Sequence, residues 1–285
     1  HPTGYYADVR NHPLYRPLHE LALRRCVTLN RRNPWDIPFI RGGDVPLRQL
    51  AGGREKLETD EDLEAFCRLP VETDEAALRP ACDRFAARCR AERAEFPARA
   101  GAMMLDLGEP IGRLYQSARL ESLAVWSLTH AAMIEDYLDR AMRHLRLLYR
   151  YALEHDLADV YFFVGSELAA PPLVGPSTFG RWIVPYASDL IALVRTYGKK
   201  SIQHFHGHIR AVLPGFRAMG ADALHTIEAP PVGDCTLAQA YAELGDGITL
   251  IGNIQYDDFR ALDEAAMRRA VREILAECAG RRLIL

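Results

Sequence analysis

From about residue 100 onward the chain alternates short apolar runs with longer stretches whose apolar positions recur at helical spacing. The runs Ala102–Asp106, Val160–Val164, Ser201–His206, Ala223–Ile227, Ile248–Ile251 and Leu283–Leu285 read as strands. Residues 131–155, 179–197, 210–219, 236–244 and 260–279 read as the helices between them. Gly198, Gly220, Gly245 and Gly280 are placed as C-terminal stops. Upstream, Thr59 caps a helix with an acidic first turn, and a second helical stretch from Ala77 to Phe96 is expected to be interrupted at Pro80. Residues 1–60 are irregular, with short apolar pieces at Cys26–Leu29 and Ile37–Ile40. Pro38 makes the latter an edge strand at best.

Strand and helix in alternation, with continuously apolar strands, predict a parallel α/β fold. Two architectures satisfy the pattern: a closed (β/α)8 TIM barrel and an open doubly wound sheet. No GxGxxG follows the first strands. Polar residues instead close several successive strands: Asp106, Glu167, His204, His206, Glu228 and Asn253. A barrel gathers its chemistry on that face. The expectation is therefore one TIM barrel domain over residues 1–285, with an irregular, partly helical N-terminal segment and with further residues missing at both ends.

Composition narrows the partners. About half the residues are hydrophobic, enough for a full core, and a net charge of −3 gives no sign of a nucleic-acid binder. No apolar run reaches the ~18 residues of a membrane span. Six cysteines without a CxxC pair, and no signal-peptide core at the start, favour a reducing cytoplasm.

The candidate chemistry centres on His204-Phe205-His206-Gly207-His208. Side chains alternate faces along a strand, so the three imidazoles point the same way if the strand persists that far. Glu228 closes the next apolar run. Two neutral imidazoles and a carboxylate suit zinc, so His204, His206 and Glu228 are the candidate metal ligands. The plain alternatives are buried, satisfied histidines and a loop carboxylate paired with an arginine. His208 follows Gly207, where the strand turns, and reads as a residue for substrate or for orienting a ligand. Cys235 is a reserve thiolate ligand, or sits in the first turn of the next helix with Asp234 as its cap. Asp234 is also a candidate for substrate binding. Glu167, Asn253 and Asp106 are candidate catalytic residues, each with a structural alternative; Asp106 also fits a plain turn. Tyr5, Tyr6, Arg10 and Arg16 form either a substrate arm, with Tyr6 as a substrate contact, or a solvated terminus.

The segment HFHGHIRAVLPGFRAMGADALHTIE, a proline-rich loop and then GITLIGNIQ resemble the uroporphyrinogen decarboxylase superfamily. The resemblance covers roughly residues 100–285 and is strongest from 200 to 256. It implies a (β/α)8 barrel and offers two chemistries. One branch decarboxylates a tetrapyrrole without a metal, using an arginine-rich N-terminal segment that residues 1–50 do not show. The other branch contains zinc methyltransferases that serve corrinoid proteins and coenzyme M. Their pattern is His-x-Cys with a further Cys on the last strand; His206 stands where the first Cys would be. Cobalamin-independent methionine synthase is similar and adds a Glu on the next strand, where Glu228 stands. A last-strand ligand would fall beyond Leu285.

The resemblance therefore implies a corrinoid-type methyltransferase using zinc, with cobalamin on a partner protein or as co-substrate. It implies a small-molecule methyl donor or acceptor, a corrinoid protein as partner and a homodimer. The alternative is a metal-free decarboxylase of a tetrapyrrole or other polycarboxylate. A metal-dependent hydrolase ranks below both: in amidohydrolase barrels HxH closes the first strand and further histidines follow, whereas none follows His225 here. A pure binding module remains the non-enzymatic reading, since fold does not give function.

Overall fold

The computed structural model describes residues 30–32, 34, 36–95, 102–167 and 169–285, together with Pro13 and Arg16. Tyr5, Tyr6, Arg10 and the apolar piece Cys26–Leu29 lie outside the described residues. Among the described residues seven strands form one sheet: β1 (Asn30–Arg32), β2 (Met103–Leu105), β3 (Val160–Phe163), β4 (Lys200–His204), β5 (Ala223–His225), β6 (Thr249–Ile251) and β7 (Leu283–Ile284). All pairings are parallel and the spatial order is β1 to β7, the order of the chain.

That order decides the architecture. A doubly wound sheet reverses at a switch point and carries helices on both faces. Here nothing reverses, and one face alone is sealed by helices. Leu105, Tyr161, Phe163, Leu224 and Leu250 are all 0% exposed on that face. Tyr149 stacks on Phe163 there with ring centroids 5.5 Å apart. On the other face Val160, Ile202, Thr249 and Ile251 remain half-buried. Sequential parallel strands with helices outside are the winding of a (β/α)8 barrel, and the half-buried face is its lumen. No ladder joins β7 to β1 among the described residues.

The helices are α1 (Leu47–Leu50), α2 (Asp60–Cys67), α3 (Glu75–Glu95), α4 (Gly112–Ser117), α5 (Leu120–Thr129), α6 (Ala131–Glu154), α7 (Pro176–Trp182), α8 (Val184–Thr196), α9 (Leu213–Met219), α10 (Leu237–Leu244), α11 (Asp258–Ala261) and α12 (Glu264–Glu277). Thr59 caps α2 in a capping box with Asp62, as its sequence predicts. In α6, Ile134, Leu138, Ala141, Leu145, Leu148 and Ala152 are buried at the spacing of one helical face.

Several local expectations are corrected. α3 runs straight through Pro80: the proline stands within the first two turns, and burial of Leu78, Cys82, Phe85 and Ala86 outweighs one lost backbone donor. Residues 179–197 are not one helix. The chain breaks at Ile183 and restarts with Pro185 in the first turn of α8, where a missing N–H costs nothing. The stretch 210–219 is a 3-10 turn, Arg210–Val212, leading into α9, and the predicted helix 260–279 divides into α11 and α12. Of Ile37–Ile40 only Ile40 pairs, in an isolated antiparallel bridge to Val71. α4 and α5 fill a stretch for which the sequence pattern predicts no element. No helix among the described residues is long and apolar enough to cross a membrane.

Candidate active site

Strand β4 ends at His204, not at His206 as its apolar run predicts. Its pairing with β5 nevertheless continues for one more residue. Phe205 N donates to His225 O at 2.6 Å, and Thr226 N donates to Phe205 O at 2.9 Å. The Phe205 ring turns away from the lumen and packs edge-on against Phe179 of α7 and Phe216 of α9. Alternation then returns His206 to the lumen side with His204, and their rings meet edge-on with centroids 4.5 Å apart. Gly207, at φ +74°, turns the chain, so His208 is exposed beyond the turn rather than in the row of imidazoles.

Strand register brings in a residue that the sequence pattern does not single out. His225 is the direct partner of His204 across β4 and β5. Their rings meet edge to edge, with planes 24° apart and centroids 4.7 Å apart, and their Nδ1 atoms lie 2.6 Å apart. Phe162 of β3 flanks both rings at 5.3 and 5.8 Å. Burial lowers the pKa of His225, His206 nearby lowers it further, and Glu228 offsets part of this. These surroundings favour the neutral form of the His225 imidazole.

Two carboxylates complete the cluster. Glu228 Oε1 lies 3.2 Å from His206 Nδ1, and Glu228 Oε2 accepts from Gly207 N at 2.6 Å. Gly233 folds over Glu228 so closely that a Cβ there would fall 2.1 Å from Glu228 O. Glu167 lies in the loop that follows β3, accepts from Gly165 N at 3.0 Å through Oε2, and presents Oε1 to His204 Nε2 at 3.5 Å. The strands thus bring together the three expected ligands, His204, His206 and Glu228, with Glu167.

Other expected residues lie elsewhere. Asp106 is buried, and its Oδ1 accepts from Gly108 N at 3.0 Å, the bond of an aspartate turn. Asn253 follows β6 and is half-buried. Asp234 does not cap α10: its Oδ1 accepts from Arg210 N at 3.0 Å, and Thr236 caps that helix in a box with Gln239. Cys235 is fully buried, its Sγ donates to Thr236 O at 3.4 Å, and burial pushes its thiol pKa up to about 11.

A buried carboxyl lies behind the cluster, on the helix side of the sheet. Glu109 accepts from Ser166 Oγ and from Gln203 Nε2, the latter at 3.2 and 3.3 Å to its two oxygens. Burial pushes its pKa up to about 8 against those hydrogen bonds, and Glu167 and Asp106 add to the rise. Glu109 also lines a cavity of about 120 Å³ with Phe39, Asp106, Arg113, His144 and Leu148.

Whether the cluster suits a metal is a question of donors and spacing. Among the described residues no three His, Cys, Asp or Glu side chains already stand around one point as a metal requires. The donors are instead paired with one another, His204 with His225 and His206 with Glu228. Their chemistry fits zinc: imidazole nitrogens plus one carboxylate oxygen. The spacing is near as well. Bonds of 2.0–2.1 Å put tetrahedral ligands about 3.3 Å apart, close to the 3.2 Å between His206 and Glu228.

The sequence profile of the family Uroporphyrinogen decarboxylase (URO-D) matches residues 114–285. The chain, a barrel with its polar cluster on the C-terminal ends of the strands, belongs to that family. Its fold is similar to that of a methyltransferase from Methanosarcina mazei, at 17% identity and a TM-score of 0.55. The match covers 72% of this chain and 57% of that one, so the chain spans little more than half of that protein. No curated protein sequence matches it.

Proposed function

We propose that the protein is a metal-dependent methyltransferase of the corrinoid type. His204, His206 and Glu228 would hold zinc at the mouth of the barrel. The observation that carries this reading is the convergence of imidazoles and carboxylates from the ends of β3, β4 and β5 on the lumen side. A decarboxylase working without metal has no need of such a nitrogen cluster. The methyltransferase of similar fold supports the reaction class.

When bound, zinc supplies Lewis acidity, which favours the deprotonated form of a methyl acceptor or polarises a methyl donor. The chain's own residues do the rest. Glu167 faces His204 Nε2 and fixes the orientation of that ring. Glu228 is held by Gly207 N, which ties it to the turn that carries His206. Phe162 keeps water from one side of the rings. Asn253 and exposed His208 remain for substrate, and Asp234 steadies the turn at Arg210. Cobalamin, on a partner protein or as co-substrate, would carry the methyl group at the open mouth.

The test is the zinc content of the purified protein and of His206→Ala, followed by methyl transfer to free cobalamin. About one zinc per chain, the count of a single mononuclear site, lost in the variant, is expected. If both proteins bind no zinc even after incubation with it, the reading fails and metal-free decarboxylation replaces it.

A further inference from the structure

We infer that His225 is a fourth donor of this centre, beside His204, His206 and Glu228, and that His204 binds through Nδ1. The inference rests on the zinc reading above. It starts from the Nδ1 atoms of His204 and His225, 2.6 Å apart across two paired strands. A neutral imidazole has one N–H and one lone pair. Glu167 lies at the far nitrogen of His204 and can only accept, so it draws the ring proton to Nε2. That leaves the Nδ1 of His204 as a lone pair aimed at His225. A carboxylate behind a histidine, fixing its tautomer, is the usual outer partner of a metal-ligating ring.

Between the two Nδ1 atoms there is room for one proton, which His225 supplies. A divalent cation takes that proton's place when the His225 proton moves from Nδ1 to Nε2. His225 stays neutral, and no proton leaves the protein at this pair. The two nitrogens must part from 2.6 Å to about 3.3 Å, the ligand separation of a tetrahedral site. His206, 4.5 Å ring to ring from His204, and Glu228 stand on the adjoining side of the cluster. His204, His206, His225 and Glu228 would then supply four donors, the number of a tetrahedral set.

Cobalt(II) titration of the full chain reads the donor count directly. Wild type is expected to bind one cobalt with the intense visible bands of four-coordinate geometry. His225→Gln and His225→Ala are expected to bind it at least about tenfold more weakly, a loss that even outer partners of metal ligands produce, and with weakened, shifted bands. Far-UV circular dichroism and a melting curve check that each variant is folded; the glutamine variant, closer in size, serves if the alanine variant is not. Unchanged affinity and spectrum in a folded His225 variant would overturn the inference and leave the zinc reading standing. A wild type that binds neither cobalt nor zinc overturns both.

Discussion

Glu167 and His204 face each other at 3.5 Å from the ends of neighbouring strands, and each side chain is only 12% exposed. A carboxylate so placed holds the imidazole ring in one orientation, with the opposite nitrogen, Nδ1, directed at His225. Glu167→Gln keeps the size and removes the charge. It is expected to retain one zinc per chain but to weaken zinc affinity about 10–100-fold, the usual loss for an outer partner. Competition with a chromophoric chelator measures this. Wild-type affinity in the variant would remove Glu167 from the site.

Gly233 offers a test that touches no candidate ligand. A methyl group there would meet Glu228 O at 2.1 Å and Glu228 Cβ at 2.8 Å. The backbone carrying Glu228 has to move, and with it the bond from Gly207 N. Gly233→Ala is expected to lower metal affinity at least about tenfold, by analogy with losses from displaced supporting groups. It should change the melting temperature far less than a core truncation would. If metal binding survives the substitution, Glu228 is not a ligand.

Glu109 couples stability to alkaline pH. Its pKa is raised from 4.5 to about 8, chiefly by burial. The folded protein therefore holds a proton that the unfolded chain releases near pH 4.5. The stabilisation is full below that pH and is lost as pH rises through about 8. Glu109→Gln keeps an uncharged group among Ser166 and Gln203. Melting curves from pH 5 to 8.5 should show the variant gaining on wild type by several degrees toward the alkaline end. Parallel curves would contradict the assignment.

His144 acts in the opposite direction. Its Nδ1 donates to Glu72 O at 2.7 Å, and burial lowers its pKa from 6.5 to about 4. The ring is neutral in the fold, with Arg113, Asp44 and Glu72 as its charged neighbours. Stability from this neutral ring is complete above pH 6.5 and is lost as pH falls toward 4. Denaturant unfolding of wild type and His144→Gln should diverge across that window, by at most ~1.4 kcal/mol per pH unit for one proton. The variant has the flatter profile; equal slopes would show that the ring is not held neutral.

Part of this site is legible in the chain and part is not, for reasons of range. His204 and His206 announce themselves because alternation is a local property. Glu228 is found because it closes the next apolar run. His225 lies in that same run, yet nothing local says that it stands opposite His204; that is a matter of register, set by the pairing of two strands. Glu109 looks like one more polar residue in a turn. Its hydrogen-bond partners Ser166 and Gln203 arrive from the loop after β3 and from β4. Barrel winding was readable from the row of polar residues closing successive strands. The break at Ile183 also had a signal, Pro185, which the helical spacing on either side masked.

The strict chain order of the strands bears on how the centre comes into being. The imidazoles and carboxylates of the cluster lie between Glu167 and Glu228, on segments that follow β3, β4 and β5, each strand pairing with its predecessor in the chain. Loops of that length close at modest entropic cost, and contacts between sequence neighbours form early. During synthesis the side chains of this cluster, and the Gly233 that folds over Glu228, have all emerged before β6 and β7 exist. The imidazole cluster is then a product of the middle of the chain, complete while the sheet is still growing outward from it.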